Sequence, residues 1–503
     1  MTDSSNKPPG TSFTSVLKHA GIYGLGSIGI RVAGLLLVPL YTYNLSPAEY
    51  GVIEYLDLTA VAILMLFSFG LGNAIYRFYY EAVVGAERRR VVSTALLPVL
   101  LASFAISAAL VLLAPALASS VFHDPRFAGY LRILFFGFAF NMVAEFGMSY
   151  LAVLQRSTVF SVITVAKFVV GTLLNIVLLV GLRWGVAGIL VSNLITNVIL
   201  GTAMLAYVVR SCGLGFDAAL LRRMVGYGYP LVLVQVSLFG INFADRFFLQ
   251  AYSGFSQVGT YALAYKFGIM LNTLVVASFF QVWNARSFEV AADPEAPAFY
   301  ARVFSYFTLG LVTAGLGMSL VIRDVIGIVA PPSYAAAAGL VPLVVLAYVL
   351  NGIGTYFELG LKLRNRTPLL GAIFAGTCVL CLGLYWLLIP RYGMFGAVLA
   401  TILAFAVKAV WVYRAGSRAY PIRFEFGRLI PASLLGAAVW VARDLVPSMP
   451  RAASILTDLA FFAAFIVMLW LFGWIRPLER EALVATFRRW VRWGAGGKAM
   501  NAP

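Results

Sequence analysis

Long apolar runs recur along this chain, and short polar segments separate them. Each run has roughly 18–25 residues, and a helix of about 20 apolar residues is long enough to cross a hydrocarbon layer about 30 Å thick. The pattern predicts an all-α polytopic membrane protein with about 14 transmembrane helices. The runs are approximately 20–42, 51–75, 91–115, 129–152, 158–182, 186–209, 225–249, 259–283, 303–327, 338–361, 368–389, 393–413, 429–446 and 453–475.

The composition agrees with the pattern, and the charges set an orientation. Hydrophobic residues make up 61% of the chain, and charged residues make up 11%. If the N-terminus is cytoplasmic, 25 of the 37 Lys and Arg residues fall in cytoplasmic loops and tails, and 6 fall in the opposite loops. Because Lys and Arg accumulate in cytoplasmic loops, we expect both termini in the cytoplasm. The net charge of +17 then reflects topology and anionic lipids, and no nucleic-acid partner is expected.

A fixed separation of 208 residues relates several features of the two halves. One separation shared by independent features predicts a duplicated unit of six spans. Because six is even, both copies enter the membrane from the same side, as parallel repeats do. We therefore predict two six-helix lobes related by a parallel pseudo-twofold axis, with two extra C-terminal helices. The paired positions are Gly51 with Gly259, Arg183 with Arg391, Gly185 with Gly393, and Arg156 with Arg364.

The same reading gives five segments. After the last apolar run, aromatic and aliphatic residues occupy one helical face and arginines another, which indicates an amphipathic helix on the membrane surface. The segments are a cytoplasmic N-terminal tail (1–19), an N-lobe with spans 1–6 (20–215), a C-lobe with spans 7–12 (216–428), spans 13 and 14 (429–475), and a cytoplasmic amphipathic tail (476–503).

Charged side chains within the predicted spans are the candidate functional residues. Each costs a few kcal/mol in lipid, so it should face a partner or a wet cavity. Arg31 lies about 16 Å from the cytoplasmic edge, near the midplane, and Lys266 lies about 10 Å from the opposite edge. Cations in a central cavity suit an anionic substrate such as a phosphate. Buried inter-helix ion pairs are the structural alternative for each charge.

The neighbours Asp245 and Arg246 should point in different directions on a helix, so we expect each to have another partner. Cation candidates for the cavity are Arg31, Arg246 and Lys266, and the other cavity or coupling candidates are Asp57, Glu145, Asp245, Lys167 and Arg132.

Cysteine and histidine, which many enzymes use for catalysis or metal binding, are scarce in this chain. The chain has three cysteines and two histidines, and Cys378 and Cys381 lie in an apolar run. No phosphate-binding loop of the Walker type occurs, so direct drive by ATP is not expected. We expect a protein that is not an enzyme and has no metal or cofactor.

Several segments resemble bacterial polysaccharide exporters of the Wzx type. The resemblance implies membership of the O-antigen and polysaccharide flippase family, within the superfamily of multidrug, oligosaccharidyl-lipid and polysaccharide exporters. The segments are residues 45–51 (LSPAEYG), residues 227–230 (YGYP), Asp245 and Arg246, Gly259, Tyr261, and residues 264–266 (AYK).

The resemblance implies a function. Such a protein flips undecaprenyl-pyrophosphate-linked oligosaccharide repeat units across the bacterial inner membrane, by alternating access, for lipopolysaccharide and other surface polysaccharides. A proton or sodium gradient would drive it. The family's cationic cavity corresponds here to Arg31, Arg246 and Lys266. The implied partners are the lipid-linked oligosaccharide, membrane lipids, a polysaccharide polymerase and the chain-length machinery.

Three alternatives stay open at this point. A cation-coupled multidrug exporter of the same superfamily would use acidic residues, and Asp57 and Glu145 would serve. A lipid II flippase is a closer relative of the proposed exporter. A membrane glycosyltransferase or O-antigen polymerase is more remote, because the loops opposite the cytoplasm are mostly about a dozen residues or fewer, too short for a catalytic domain.

Overall fold

The computed structural model describes residues 34, 37–68, 70–122, 124–447 and 449–474, and this part of the chain has helices and no strand. Short π-helical turns span Ile176–Gly181 and Asn272–Ala277, and 3-10 turns span Val290–Ala292 and Pro332–Tyr334. The α-helices are α1 (Val38–Asn44), α2 (Pro47–Phe67), α3 (Leu71–Glu81), α4 (Ala86–Val121), α5 (Phe127–Val153), α6 (Ser157–Asn175), α7 (Gly185–Cys212), α8 (Ala218–Phe243), α9 (Asp245–Leu271), α10 (Ser278–Glu289), α11 (Ala296–Val329), α12 (Ala336–Phe357), α13 (Leu359–Leu363), α14 (Thr367–Ala419), α15 (Phe426–Asp444) and α16 (Arg451–Leu471).

The predicted all-α, multi-pass architecture is confirmed. Within the described residues, 10 helical segments are long and apolar enough to cross a membrane. Two of them, Ala218–Ala292 and Thr367–Ala419, contain non-helical backbone at Gly254 and Gly393, so each covers two of the predicted runs. The count of fourteen stays a prediction. Both predicted tails and Arg31 lie outside the described residues.

The chain divides into two compact units. The first comprises residues 1–278 and 326–419, and the second comprises residues 279–325 and 420–503. The core of the second unit joins three helices, with Leu316 and Leu320 from α11, Val439 from α15, and Phe465 and Leu469 from α16. The predicted lobe boundaries at residues 215 and 428 stay a prediction.

The elements of the first half recur in order in the second half. The pair α2 and α3 corresponds to the end of α9 and to α10, α4 to α11, α5 to α12 with α13, and α6 with α7 to the two parts of α14. Both Gly185 and Gly393 have positive φ, at 56° and 52°, where the sixth and twelfth spans begin. Glycine suits this turn because other residues are strained there. These correspondences support the predicted duplication.

One of the paired positions was wrong by two residues. Gln155 and Asn365 both have positive φ, at 55° and 52°. The next residue closes the same backbone hydrogen bond in each half, from Arg156 N to Leu151 O and from Arg366 N to Leu361 O. Arg156 therefore corresponds to Arg366 and not to Arg364. The second half gains two residues before this loop and loses them again before Gly393.

The second span starts at a capping box that explains the motif at residues 45–51. Ser46 is the N-cap of α2, and Pro47 is the first helical residue. Glu49 Oε2 accepts hydrogen bonds from Ser46 N at 2.9 Å and from Ser46 Oγ at 2.8 Å, while Ser46 Oγ accepts from Glu49 N. Such a cap satisfies backbone donors that the helix leaves free. It fixes where α2 begins.

The helices α2 and α9 cross with their backbones in contact. A Cβ added to Gly51 would lie 2.0 Å from Phe255 O and 2.8 Å from Gly259 N. A Cβ added to Gly259 would lie 1.9 Å from Pro47 O and 2.9 Å from Gly51 N. Only glycine permits so close an approach at both positions. The crossing sets the position of every side chain that follows on the two helices.

Candidate functional site

Lys266 lies in a small group of tyrosines and acids between α1, α2 and α9. Its ammonium Nζ is 5.0 Å from the ring centroid of Tyr50 and 6.0 Å from that of Tyr41. The two rings are 6.5 Å apart. Lys266 is half-buried, while Tyr50 is fully buried. The cation therefore lies against two electron-rich ring faces, an arrangement that stabilises a desolvated ammonium.

Two acids of α2 belong to the same group. Lys266 interacts electrostatically with Glu54, and Asp57 interacts with both Glu54 and Lys266. Glu54 and Asp57 are three residues apart and share one face of α2. Asp57 and Lys266 follow Gly51 and Gly259 by six and seven residues, so the crossing places them at similar depth. Of the predicted site residues, Asp57 and Lys266 are thus brought together.

Hydrogen bonds tie the end of the bundle beside this group to the segment that precedes α12. Tyr334 Oη donates to Leu45 O at 3.1 Å, and its ring packs edge-on against Tyr50, 6.1 Å away. Thr42 Oγ1 donates to Val329 O at 2.5 Å, and Tyr43 Oη donates to Ile328 O at 3.1 Å. Burial raises the pKa of Tyr334, so its hydroxyl stays a donor. These bonds join α1 and the residue that follows it to the segment before α12.

Asp245 and Arg246 form a buried ion pair with each other. Arg246 Nη1 lies 2.7 Å from Asp245 Oδ1, and the two side chains are 4% and 1% exposed. The same Nη1 donates to Asn242 O at 2.8 Å, and Arg246 N donates to Asp245 Oδ1 at 2.9 Å. Tyr261 Oη donates to Asp245 Oδ2. Both carboxylate oxygens and one nitrogen of the guanidinium are therefore engaged.

Each of these two neighbours has the further partner that was expected, Tyr261 for Asp245 and Asn242 O for Arg246, but the expectation that they point apart is wrong, because they also pair with each other. Their Cα–Cβ directions differ, but the long arginine side chain folds back along its own helix toward Asn242 O. Asp245 meanwhile begins α9, where its carboxylate can accept from the next backbone N–H. A flexible side chain at a helix start thus overrides the angular separation of neighbouring residues.

Tyrosines extend this pair into a buried polar network. The guanidinium of Arg246 lies 4.2 Å from the ring centroid of Tyr265 and 5.1 Å from that of Tyr261. Tyr265 Oη donates to Thr401 Oγ1 at 3.1 Å, and Tyr385 Oη is 3.1 Å from the same oxygen. Thr401 and Tyr385 could not be predicted from the sequence, because a single polar residue in an apolar run has no periodic signal.

A cavity of about 300 Å³ lies between α2, α3, α4, α5 and α8. Its polar lining comes from Ser68, Asn73, Glu145, Ser149 and Gln235. Three of these residues, Asn73, Glu145 and Gln235, are exposed, so the cavity is accessible to solvent. The helical conformation is interrupted between α2 and α3 at the cavity wall, where Gly70 has a φ of 65°. Discontinuous helices often line substrate pathways in transporters.

Three further predicted residues lie on α5 and α6. Lys167 Nζ lies 3.9 Å from Glu145 Oε1. The side chain of Glu145 is 54% exposed, and that of Lys167 is 36% exposed. Arg132 is exposed near the start of α5. Arg31 is outside the described residues. The structure therefore separates the predicted residues into a Lys266 group, a buried Asp245–Arg246 pair and a Glu145–Lys167 pair beside the cavity.

Lys408 is a further buried cation that the sequence analysis did not rank among the candidates. It is 3% exposed and donates to Asn351 Oδ1. Its Nζ lies 5.2 Å from the ring centroid of Phe405 and 5.4 Å from that of Phe374. Its position in the first half, by the 208-residue separation, is Leu200, so this polar contact is particular to the second half.

Comparisons with known proteins identify the family. The family described as Polysaccharide biosynthesis protein matches residues 16–284, which is more than half of the chain. The chain belongs to this family. No curated protein sequence matches it.

Several solved structures share the fold of this family member. The lipid II flippase MurJ, in an inward closed conformation, has a TM-score of 0.73 and 13% identity, with 89% of this chain and 98% of that chain covered. A multidrug resistance MATE transporter in an inward-facing conformation has a TM-score of 0.61 and 14% identity, with coverages of 79% and 94%.

A MOP superfamily transporter from Pyrococcus furiosus has a TM-score of 0.55 and 14% identity, with coverages of 80% and 94%. The polysaccharide biosynthesis protein described here therefore has several helices long and apolar enough to cross a membrane, and it shares its fold with these flippase and transporter structures.

Proposed function

We propose that this protein flips undecaprenyl-pyrophosphate-linked oligosaccharides from the cytoplasmic to the periplasmic leaflet of a bacterial inner membrane. Its product would enter surface polysaccharide synthesis, where a polymerase and chain-length proteins act next. It would work by alternating access, without catalysing a covalent step and with both termini in the cytoplasm. Membership of the polysaccharide biosynthesis protein family supports the substrate class.

The observation that carries the proposal is the position of Lys266. Its ammonium lies inside the bundle, half-buried, against Tyr41 and Tyr50. A cation at this depth must be paired, hydrated or bound to a ligand. We propose that pyrophosphate oxygens bind Lys266, with Arg31 and Arg246 as further contacts. Because the pair with Asp245 holds Arg246 in the described state, Arg246 would have to exchange that partner during transport.

The cavity is compatible with part of such a substrate. A volume of about 300 Å³ is at the lower end of the range for small-molecule sites, so it would accommodate a headgroup or a first sugar. Under the predicted orientation, the break between α2 and α3 lies toward the cytoplasm. We propose that the polyprenyl tail stays in the bilayer while the polar part enters here. The end at Tyr334 and Leu45 would be the periplasmic gate.

A multidrug exporter is the second candidate, and one observation favours it. The group around Lys266 contains two acids, Glu54 and Asp57, and the cavity contains Glu145. Without Arg31, which is outside the described residues, these acids outnumber the nearby cation. A cationic substrate or a coupling proton or sodium ion would suit such a group. The experiment must therefore compare anionic and cationic ligands.

The test is a binding measurement on the purified full-length protein. Lys266→Gln should weaken binding of an undecaprenyl-pyrophosphate oligosaccharide at least about tenfold, because a charge-assisted hydrogen bond contributes about 1.5–3 kcal/mol. Lys362→Gln is the matched control, since Lys362 pairs with Glu358 on its own segment. Unchanged binding by Lys266→Gln, together with tighter binding of tetraphenylphosphonium, would overturn the proposal in favour of the drug exporter.

A further inference from the structure

The second unit contains a group of charges that the sequence analysis did not single out. Asp324 is the sixth residue from the end of α11, Arg443 is next to last in α15, and Asp458 is the eighth residue of α16. The three helices share a hydrophobic core, and these residues lie at the same end of it. Asp458 is about 10 Å along α16 from its start, at 1.5 Å per residue.

One oxygen of Asp458 is engaged by Arg443. Arg443 Nε donates to Asp458 Oδ1 at 2.5 Å, and Arg443 Nη2 donates to Ser454 Oγ at 2.8 Å. The side chain of Asp458 is 1% exposed, and that of Arg443 is 11% exposed. This half of the group is a buried ion pair with a supporting hydroxyl.

The other oxygen of Asp458 faces a second carboxyl group. Asp458 Oδ2 and Asp324 Oδ2 are both buried, and neither has a donor among the described residues. The two carboxyl groups nevertheless interact with each other. Two ionised carboxylates that face each other repel strongly, and buried acceptors without donors are costly. Something positive must lie between them.

We propose that Asp324 and Asp458 bind one shared proton, with Arg443 as the permanent counter-ion. The proton turns two facing acceptors into a donor and an acceptor, and it satisfies both oxygens. With one proton bound, the two carboxyl groups and the guanidinium sum to zero charge, the state that a membrane-embedded group favours. Without it, the group carries one uncompensated negative charge.

The surrounding charges leave this balance intact. Arg323 of α11 and Asp444 of α15 pair with each other at 2.5 Å, and both are exposed. Arg451 begins α16 and has an interaction of its own. Ser454 is the neutral neighbour on α16. A proton can bridge two carboxyl oxygens, whereas a sodium ion would need several further oxygens.

Infrared difference spectroscopy on the purified full-length protein tests the proposal without any transport assay. At neutral pH the wild type should show the carbonyl stretch of a protonated carboxylic acid. Asp458→Asn and Asp324→Asn should each remove it, because the remaining carboxyl pairs with Arg443 and ionises. The double variant should lose no more than either single variant. Asp444→Asn, which removes an exposed ion-paired acid, should keep the band.

A variant that should strengthen the band, rather than remove it, distinguishes the proposal from a general loss of structure. Arg443→Met removes the counter-ion, so a second proton should bind and the band should grow. The proposal fails if the wild type lacks the band, if Asp324→Asn and Asp458→Asn retain it, or if sodium chloride abolishes it at constant ionic strength. The last result would identify a metal cation as the ligand. Because the readout is protonation itself, failure of the flippase proposal would not affect it.

Discussion

Gly51 and Gly259 occupy equivalent positions in the two halves, and they are also in contact. The clash that a side chain would cause is itself repeated: Gly51 approaches Phe255 O, and Gly259 approaches Pro47 O, with the same separation of 208 residues. Equivalent residues can touch one another only beside the axis that relates the halves. The pseudo-twofold axis therefore passes between α2 and α9 at this crossing.

The crossing predicts that alanine at Gly51 or at Gly259 destabilises the protein. Gly51→Ala and Gly259→Ala place a Cβ within about 2 Å of backbone oxygen, and backbone has no rotamer by which to move away. Overpacking typically costs about 1–3 kcal/mol, and we expect each substitution to lower the free energy of unfolding by more than that. Thermal unfolding in detergent measures the effect.

Gly371→Ala is the matched control for these substitutions. It also lies in a helix, but a Cβ there would meet nothing within 4 Å. Alanine should stabilise that helix slightly, because it loses less backbone entropy than glycine. Equal melting temperatures for all three variants would show that α2 and α9 are not held in contact at the glycines.

The Asp245–Arg246 pair predicts a strong coupling. Arg246→Met leaves the buried carboxylate of Asp245 without its counter-ion, and Asp245→Asn leaves the guanidinium uncompensated. Each should cost about 3–5 kcal/mol of unfolding free energy, and the double variant should cost much less than the sum. A double-mutant cycle on the melting of the detergent-solubilised protein measures the coupling. Additive effects would contradict a closed ion pair and favour Arg246 as a substrate ligand.

Orientation is tested by thiol labelling in intact cells. In a variant without Cys212, Cys378 and Cys381, a cysteine at Val84 should resist a membrane-impermeant reagent, because the adjacent arginine-rich loop is predicted to be cytoplasmic. A cysteine at Arg126 should react. Both positions are exposed, at 76% for Val84 and 89% for the Arg126 side chain. A difference in labelling would therefore report the side of the membrane and not burial within the protein. The reverse pattern would invert the proposed direction of transport.

Arg31 carries a prediction that rests on the sequence alone. A guanidinium near the midplane must be hydrated, paired or bound to a ligand, and its planar fork can bind phosphate oxygens in pairs. Arg31→Ala should abolish glycan export in cells without lowering protein abundance, and Arg31→Lys should restore export only in part. Loss of abundance in both variants would instead indicate a structural ion pair.

The sequence predicted the helical architecture because apolar length is a strong and local signal. It also predicted that Gly51 and Gly259 are equivalent, since their separation is visible in the chain. It could not predict that they touch, because a repeat separation says nothing about where the symmetry axis lies. The wrong match of Arg156 with Arg364 has a similar cause, since two inserted residues are invisible without the backbone turns at Gln155 and Asn365.

The site was less predictable than the fold. Depth arguments located charges such as Lys266 and Asp57, and the helix crossing then brought these two together. They did not foresee that Arg246 would fold back onto Asp245, or that Thr401 would join two tyrosines from different segments. Side-chain direction and contacts between distant spans decide these features. Neither is encoded in a periodic pattern.

Direct observation of flipping tests the central proposal most sharply. The purified full-length protein would be reconstituted in liposomes with a fluorescent undecaprenyl-pyrophosphate oligosaccharide, and a membrane-impermeant quencher would be added outside. We predict that label from both leaflets becomes accessible in vesicles with the wild type, and that only outer-leaflet label is accessible in vesicles with Lys266→Gln. If inner-leaflet label stays protected with the wild type while the same vesicles transport tetraphenylphosphonium, the flippase proposal is contradicted.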